Sequence, residues 1–416
     1  MSGVAAAWKL GALALACGVL LLGCGATAPP GRPTAQQAAA LRIPLATAGT
    51  APGPATSGSS EGATWALVAM GDLDQPDNTF WQAFVLSGVT PSWSLVTPKG
   101  VADNGGLVGS FGAAGAVVGV EVSQLLGFSP VAVSHDDGAQ WSPAVLSVPL
   151  APVPDALATT GSGHLLALLG KTGSSIVASD DDALSPTSTV TTLSSLSARA
   201  GSCRLTALTA LTFGPVSQPM AGGLCEGSAQ VAIFGLTAKG WRLVGPPAPA
   251  SALSDGSSHA SHATRADVSS LDTEVLRLST EGSSVVALAE AVSTDGTASV
   301  FRLSSNSSGT WTESPVFDVP PTQRISATGS EPNGSTFVLL SHSSSVTAEV
   351  LPASGGGWEE LPPLPTGTAT LAFGQDGRTY ALAVDQSVLT VYDLVSGRRW
   401  DSKQVIIVPI QFGSSS

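Results

Sequence analysis

The sequence predicts an all-β chain built from seven repeats of a four-stranded module. Three observations predict it. Short apolar runs of strand length, such as TWALVAM, HLLALLG, SVVALAE and TYALAV, recur after Ser60 and are bounded by Gly, Ser, Asp and Asn. Six tryptophans each follow a Gly-containing turn and precede a short run that ends at Pro. Charged residues make up only 11% of the 416, so the Glu/Lys-laced faces of surface helices are almost missing, while Val, Thr, Ser and Gly abound.

The first segment, 1–23, reads as an export signal. Lys9 is its lone cation, and Leu10 to Leu22 is an unbroken run of apolar and small residues. Thirteen residues are too few to span a bilayer comfortably. The run ends in Leu21-Leu22-Gly23-Cys24. This stretch resembles the lipobox of bacterial lipoproteins. The resemblance implies cleavage before Cys24, a diacylglycerol thioether on its sulfur and fatty acyl chains such as palmitate, which then hold the protein to the membrane. It also implies an extracytoplasmic, lipid-anchored location on a bacterial cell membrane.

Residues 24–61 read as a tether. The segment is rich in Ala, Pro, Gly, Ser and Thr and has no sustained periodicity. Such a coil spans roughly 30–35 Å.

Residues 62–411 carry the modules. The marking tryptophans are Trp93, Trp141, Trp241, Trp311, Trp358 and Trp400, at intervals of 48, 100, 70, 47 and 42 residues. The 100-residue interval holds one unmarked module centred near Val190, and the 70-residue interval holds a polar insertion at about 250–268. Seven modules then end near residues 98, 150, 196, 247, 320, 365 and 411. Four strands in about 45–50 residues, seven times over, is the arithmetic of a seven-bladed β-propeller, whose blades cover one another's apolar faces. A pair of β-sandwiches is the structural alternative.

Within the second module, Ser134-His135-Asp136-Asp137-Gly138-Ala139-Gln140-Trp141 lies between the last two expected strands. Ser134, Asp136, Gly138 and Trp141 resemble the Asp-box of sialidase-type propellers. That resemblance implies a folding element on the face away from a ligand site, and so structural roles for Asp136 and Asp137. The Trp358 module, GGGWEELPPLP, is similar to a kelch repeat.

Cys203 and Cys225 remain once Cys17 and Cys24 are assigned to the signal and the lipid. An exported pair meets an oxidising compartment, which predicts a disulfide.

The formal charge of −13, with no Lys/Arg run, argues against nucleic acid and against charge-driven binding to an anionic membrane. The membrane contact expected is the lipid anchor, and the ligand expected is an envelope protein or a glycan. No cofactor motif is visible and no metal site is expected. Asp72, Asp74 and Asp77 form an oxygen-rich turn without the Gly and distal Glu of a calcium loop, and His259 and His262 sit in the polar insertion.

The competing class is an exported glycan hydrolase of sialidase type. It would draw on Arg42 in Leu41-Arg42-Ile43-Pro44, on Arg204, Arg277, Arg302, Arg324 and Arg378, and on Tyr380 or Tyr392. No Glu is evidently paired with either tyrosine, so no catalytic residue is assigned and a binding or scaffold module is the reading preferred. The sequence does not set the oligomeric state.

Overall fold

A computed structural model describes residues 46–51, 63–71, 79–87, 92–98, 107–112, 115–120, 131–144, 154–160, 164–169, 175–179, 188–249 and 271–409, with gaps at 282, 294–295, 307, 331–333, 343–344 and 375–376. The export signal, Cys24, the Asp72–Asp77 turn and the insertion with His259 and His262 lie outside the described residues. All the described strands belong to one compact unit, Ile43–Ser416.

The described chain is all-β. Its strands fall into seven consecutive antiparallel groups, each paired in chain order. The first is β1 (Ala46–Ala51), β2 (Ala63–Gly71), β3 (Thr79–Leu86) and β4 (Trp93–Leu95). The second is β5 (Leu107–Gly112), β6 (Gly115–Val120), β7 (Val131–Ser134) and β8 (Ser142–Ala144). The third is β9 (Ala156–Thr159), β10 (Leu165–Leu169), β11 (Ser175–Ser179) and β12 (Ser188–Thr192), followed by the short helix α1 (Leu193–Ser197). The fourth is β13 (Arg204–Gly214), β14 (Gln218–Glu226), β15 (Ile233–Thr237) and β16 (Gly240–Leu243). The fifth is β17 (Asp272–Glu281), β18 (Ser284–Val292), β19 (Ala298–Ser305), β20 (Trp311–Glu313) and β21 (Phe317–Val319), with β20 and β21 both paired to β19. The sixth is β22 (Arg324–Ser330), β23 (Thr336–His342), β24 (Ser345–Leu351) and β25 (Glu359–Glu360). The seventh is β26 (Thr368–Phe373), β27 (Thr379–Asp385), β28 (Val388–Val395) and β29 (Arg399–Ile407).

The first strands of the groups lie side by side: β1 by β5, β5 by β9, β9 by β13, β13 by β17, β22 by β26 and β26 by β1. Two groups also join through the backbone. Leu224 and Cys225 of β14 pair with Glu274 and Thr273 of β17. Ala46–Ala48 of β1 pair in parallel with Ala327–Gly329 of β22.

β1 falls inside the segment 24–61 that composition reads as tether, and this differs from the expectation. Its partners, β2 and β22, are engaged by main-chain hydrogen bonds. A run of Ala, Thr and Gly has no apolar alternation to announce such pairing.

The core lies between groups more than within them. One cluster joins Leu166, Leu168 and Ile176 of the third group to Leu208, Phe234 and Trp241 of the fourth. Another joins Met220 and Ile233 of the fourth to Val275, Ala287 and Phe301 of the fifth. A third joins Leu288 and Val300 of the fifth to Val338 and Leu340 of the sixth. Each sheet therefore needs its neighbours, since one large apolar side chain moved out of water contributes about 1.5–3 kcal/mol.

Three of the six marking tryptophans tie neighbouring groups through the indole N–H. The indole N–H of Trp141 donates to the Val96 carbonyl at 2.6 Å, that of Trp358 to Pro315 at 2.9 Å and that of Trp400 to Pro362 at 3.3 Å. Each acceptor lies shortly after the fourth strand of the preceding group. The last group also meets the first. The Gly71 N–H donates to Gln386 O at 2.9 Å, and Trp93 and Tyr380 stack edge to face with centroids 5.8 Å apart.

Candidate functional site at the strand starts

Antiparallel pairing sets the start of each first strand beside the end of the second. Of the seven first strands, β13, β17 and β22 begin with a charge: Arg204, Asp272 and Arg324. Arg204 Nε lies 3.5 Å from Glu226 Oε2, its register partner. The Gly227 N–H donates to Asp272 Oδ1 at 2.9 Å. Arg324 Nε donates to Ser341 Oγ at 3.3 Å, and the neighbouring His342 Nδ1 lies 2.7 Å from the Thr322 carbonyl oxygen. The fourth and fifth groups thus set Arg204, Glu226 and Asp272 together at one end, and the sixth group sets Arg324 and His342 at the start of its own first strand, each with a local hydrogen-bond or ion-pair partner.

The disulfide sits at the same end. Cys203 and Cys225 are bonded, with Cα atoms 5.2 Å apart, and both are buried. Cys203 immediately precedes β13 and Cys225 is the penultimate residue of β14, where the register brings Leu205 opposite Cys225. The bridge anchors the ends that carry Arg204 and Glu226.

The remaining arginines are spent elsewhere. Arg277 and Arg302 flank Leu288 in register on β17, β18 and β19, which sets both on the face toward the sixth group. Arg302 Nη1 donates to Gly334 O at 2.6 Å and Arg277 Nη1 to Thr328 O at 3.4 Å. Burial pushes the Arg277 guanidinium below its ordinary value, against the pull of Glu281. Burial pushes the Glu281 carboxyl up, outweighing the attraction of Arg302 and Arg277. Gly334 has φ +92°, and a Cβ there would stand 2.7 Å from Glu281 Oε2. This charge triad was missed at the sequence level. Its signal was Arg277 and Glu281 four residues apart in one strand, where alternation sets them on the same face.

Arg378 contacts Asp393 at 3.7 Å in the seventh group. Tyr380 is buried against Trp93, and Tyr392 packs on the core beside Trp400. Among the described residues, Arg277 and Arg302 converge on Glu281, while Arg204, Arg324, Arg378, Tyr380 and Tyr392 are engaged elsewhere. Arg42 lies outside the described residues. No group of three His, Cys, Asp or Glu side chains among the described residues is placed to hold a metal ion.

The Ser134–Trp141 turn connects β7 to β8 and docks on the first group. Ser134 Oγ donates to Asp136 Oδ1 at 2.9 Å and accepts from the Gly138 N–H at 2.8 Å. Asp136 Oδ1 also accepts from the Gln140 N–H at 2.8 Å. Asp137 Oδ2 accepts from Ser87 Oγ at 3.0 Å. Gly138 has φ +80°, and a Cβ there would lie 2.6 Å from Val96 Cβ. Trp141 meets Trp65 edge to face at 6.0 Å. The two carboxylates thus bond within the turn and across to the first group.

No known family description matches this chain, and no curated protein sequence does. Solved structures are similar only remotely. A protein of Bacteroides fragilis provisionally named a 6-phosphogluconolactonase is 16% identical with a TM-score of 0.48, covering 85% of this chain and 97% of its own. A like-named protein of Bacteroides uniformis is 13% identical at 0.47, covering 88% and 97%. An oligogalacturonate lyase solved with manganese is 10% identical at 0.45, covering 82% and 93%. Likeness this distant carries no activity to this chain.

Proposed function

We propose that the chain is an envelope lipoprotein that works as a binding or scaffold module, held to the membrane through Cys24. The seven groups close as the blades of a β-propeller, and the Ser134–Trp141 turn is its Asp-box. The observation that carries the binding reading is the set of polar side chains at the strand starts. Arg204, Glu226, Asp272, Arg324 and His342 offer hydrogen-bond donors and acceptors; Arg204 and Glu226 pair with each other, while Asp272 meets a main-chain N–H, Arg324 a hydroxyl and His342 a carbonyl. That suits recognition of a neutral polyhydroxyl or peptide surface.

The test is turnover of fluorogenic sialosides and other glycosides by the full-length chain in detergent. No turnover, with glycan or peptide binding weakened by Arg324→Ala, supports the proposal. Turnover abolished by Glu226→Gln or Asp272→Asn overturns it in favour of a hydrolase.

A further inference from the structure

We infer that the outer edge of the last sheet is a docking site for an extended, acidic segment of a partner protein, added as a further strand beside β29. Three observations converge on this edge.

The first is length. The fourth strands of the other groups run from two to five residues, whereas β29 has nine. β29 pairs with β28 on one side, and among the described residues no strand lies on the other. Long open edges invite a further strand, and proteins ordinarily keep them short.

The second is the side chains. Val405 is 59% exposed and Ile407 75%, two of three large apolar side chains left in water among the described residues. They lie two apart on one face, while Ile406 and Val408 between and beyond them pack toward Tyr380 and Trp93. The strand is thus seated on the protein by one face and offers the other.

The third is charge. The chain carries a formal −13, yet exposed Arg378, Arg398, Arg399 and Lys403 surround the β28–β29 hairpin. Arg378 and Lys403 share one carboxylate oxygen, Asp393 Oδ2, at 3.7 and 3.2 Å, and Arg399 is met by Asp401 at 2.9 Å. Among the described residues, four cations against two carboxylates leave the turn end of the hairpin positive, while exposed Asp385 stands in register with Val388 at the Ile407 end. An occupant with alternating carboxylates and apolar side chains matches both ends of the strand. A second copy, itself strongly acidic but uncharged over the segment 404–416, matches it less well.

The test uses the full-length chain in detergent and two labelled synthetic peptides matched to β29 in length, one alternating Glu and Val, the other Lys and Val. Fluorescence anisotropy should show saturable binding of the Glu/Val peptide alone. Val405→Lys with Ile407→Lys should weaken it at least tenfold, with the melting temperature unchanged because both side chains are exposed. Arg398→Glu with Arg399→Glu should weaken it as well. Equal binding of both peptides, no binding of either, or indifference to the Val405 and Ile407 changes would overturn the inference. So would a dimer seen by light scattering that these changes dissociate, since the edge would then belong to a second copy.

Discussion

Gln404 holds the main chain of Trp93 with both ends of its side-chain amide. Its Oε1 accepts from the Trp93 N–H at 2.8 Å and its Nε2 donates to the Trp93 carbonyl at 2.8 Å. The two residues are 311 apart in sequence, so this pair ties the outer strand of the last group to that of the first. Gln404→Ala removes two bonds and leaves buried main-chain groups unpaired. We expect a loss of about 1–3 kcal/mol in urea unfolding. Gln404→Glu keeps the acceptor and loses the donor, and should fall between. An unchanged midpoint in both variants would show that the first and last groups do not depend on this contact.

Trp141 couples the second group to the first by both ring and N–H. Trp141→Phe keeps most of the apolar contact with Trp65 and loses the bond to Val96, at an expected cost of about 1 kcal/mol. Gly138→Ala should cost more, about 1–3 kcal/mol, because it combines a left-handed φ with a clash on Val96. Equal stability of wild type and Gly138→Ala would refute this account of the turn.

The Cys203–Cys225 bridge closes a span of 22 residues. Removing it by a double Ala change should lower stability by about 3 kcal/mol, chiefly by freeing the unfolded chain. Thiol labelling of the denatured, unreduced protein should find neither cysteine reactive.

Glu349 stands opposite Glu360 across β24 and β25. Burial first, and then the Glu360 charge, push the Glu349 carboxyl above its ordinary value. The folded state therefore holds this proton more tightly than the unfolded chain does. Stability rises as pH falls through the raised value, and the gain is complete below the unfolded value. Glu349→Gln should accordingly be stabilising near neutrality, by a few tenths of a kcal/mol for a partly exposed pair, and indistinguishable from wild type in acid. A variant less stable than wild type at neutral pH would contradict this sign.

Membrane retention is expected to require Cys24. A Cys24→Ala chain should lose acylation, measured by labelled palmitate incorporation, and should no longer mature at that position. Continued incorporation would place the lipid elsewhere.

Strand content and strand order were legible before any coordinates, because short apolar runs and Gly-centred turns are local properties. The expected group ends near 98, 196, 247 and 411 stand within a few residues of Leu95, Thr192, Leu243 and Ile407. The cysteine pair was legible from the count of cysteines left once the expected export signal and lipid site were set aside. The charges at the strand starts were not, since Arg204, Asp272 and Arg324 are spread over 120 residues and meet no local pattern.

What the sequence determined by itself is the apolar run of most strands and the Gly-centred turns between them, since these depend on neighbours within about ten residues. The tertiary structure alone decided which sheets lie face to face, where Trp141 finds Val96, how Arg277, Glu281 and Arg302 come together, and that Ala46–Ala51 is a strand. Main-chain pairing is blind to residue type, and contacts between groups join positions from 32 to 311 residues apart. Only the packing of whole sheets, which must bury both faces at once, selects those partners.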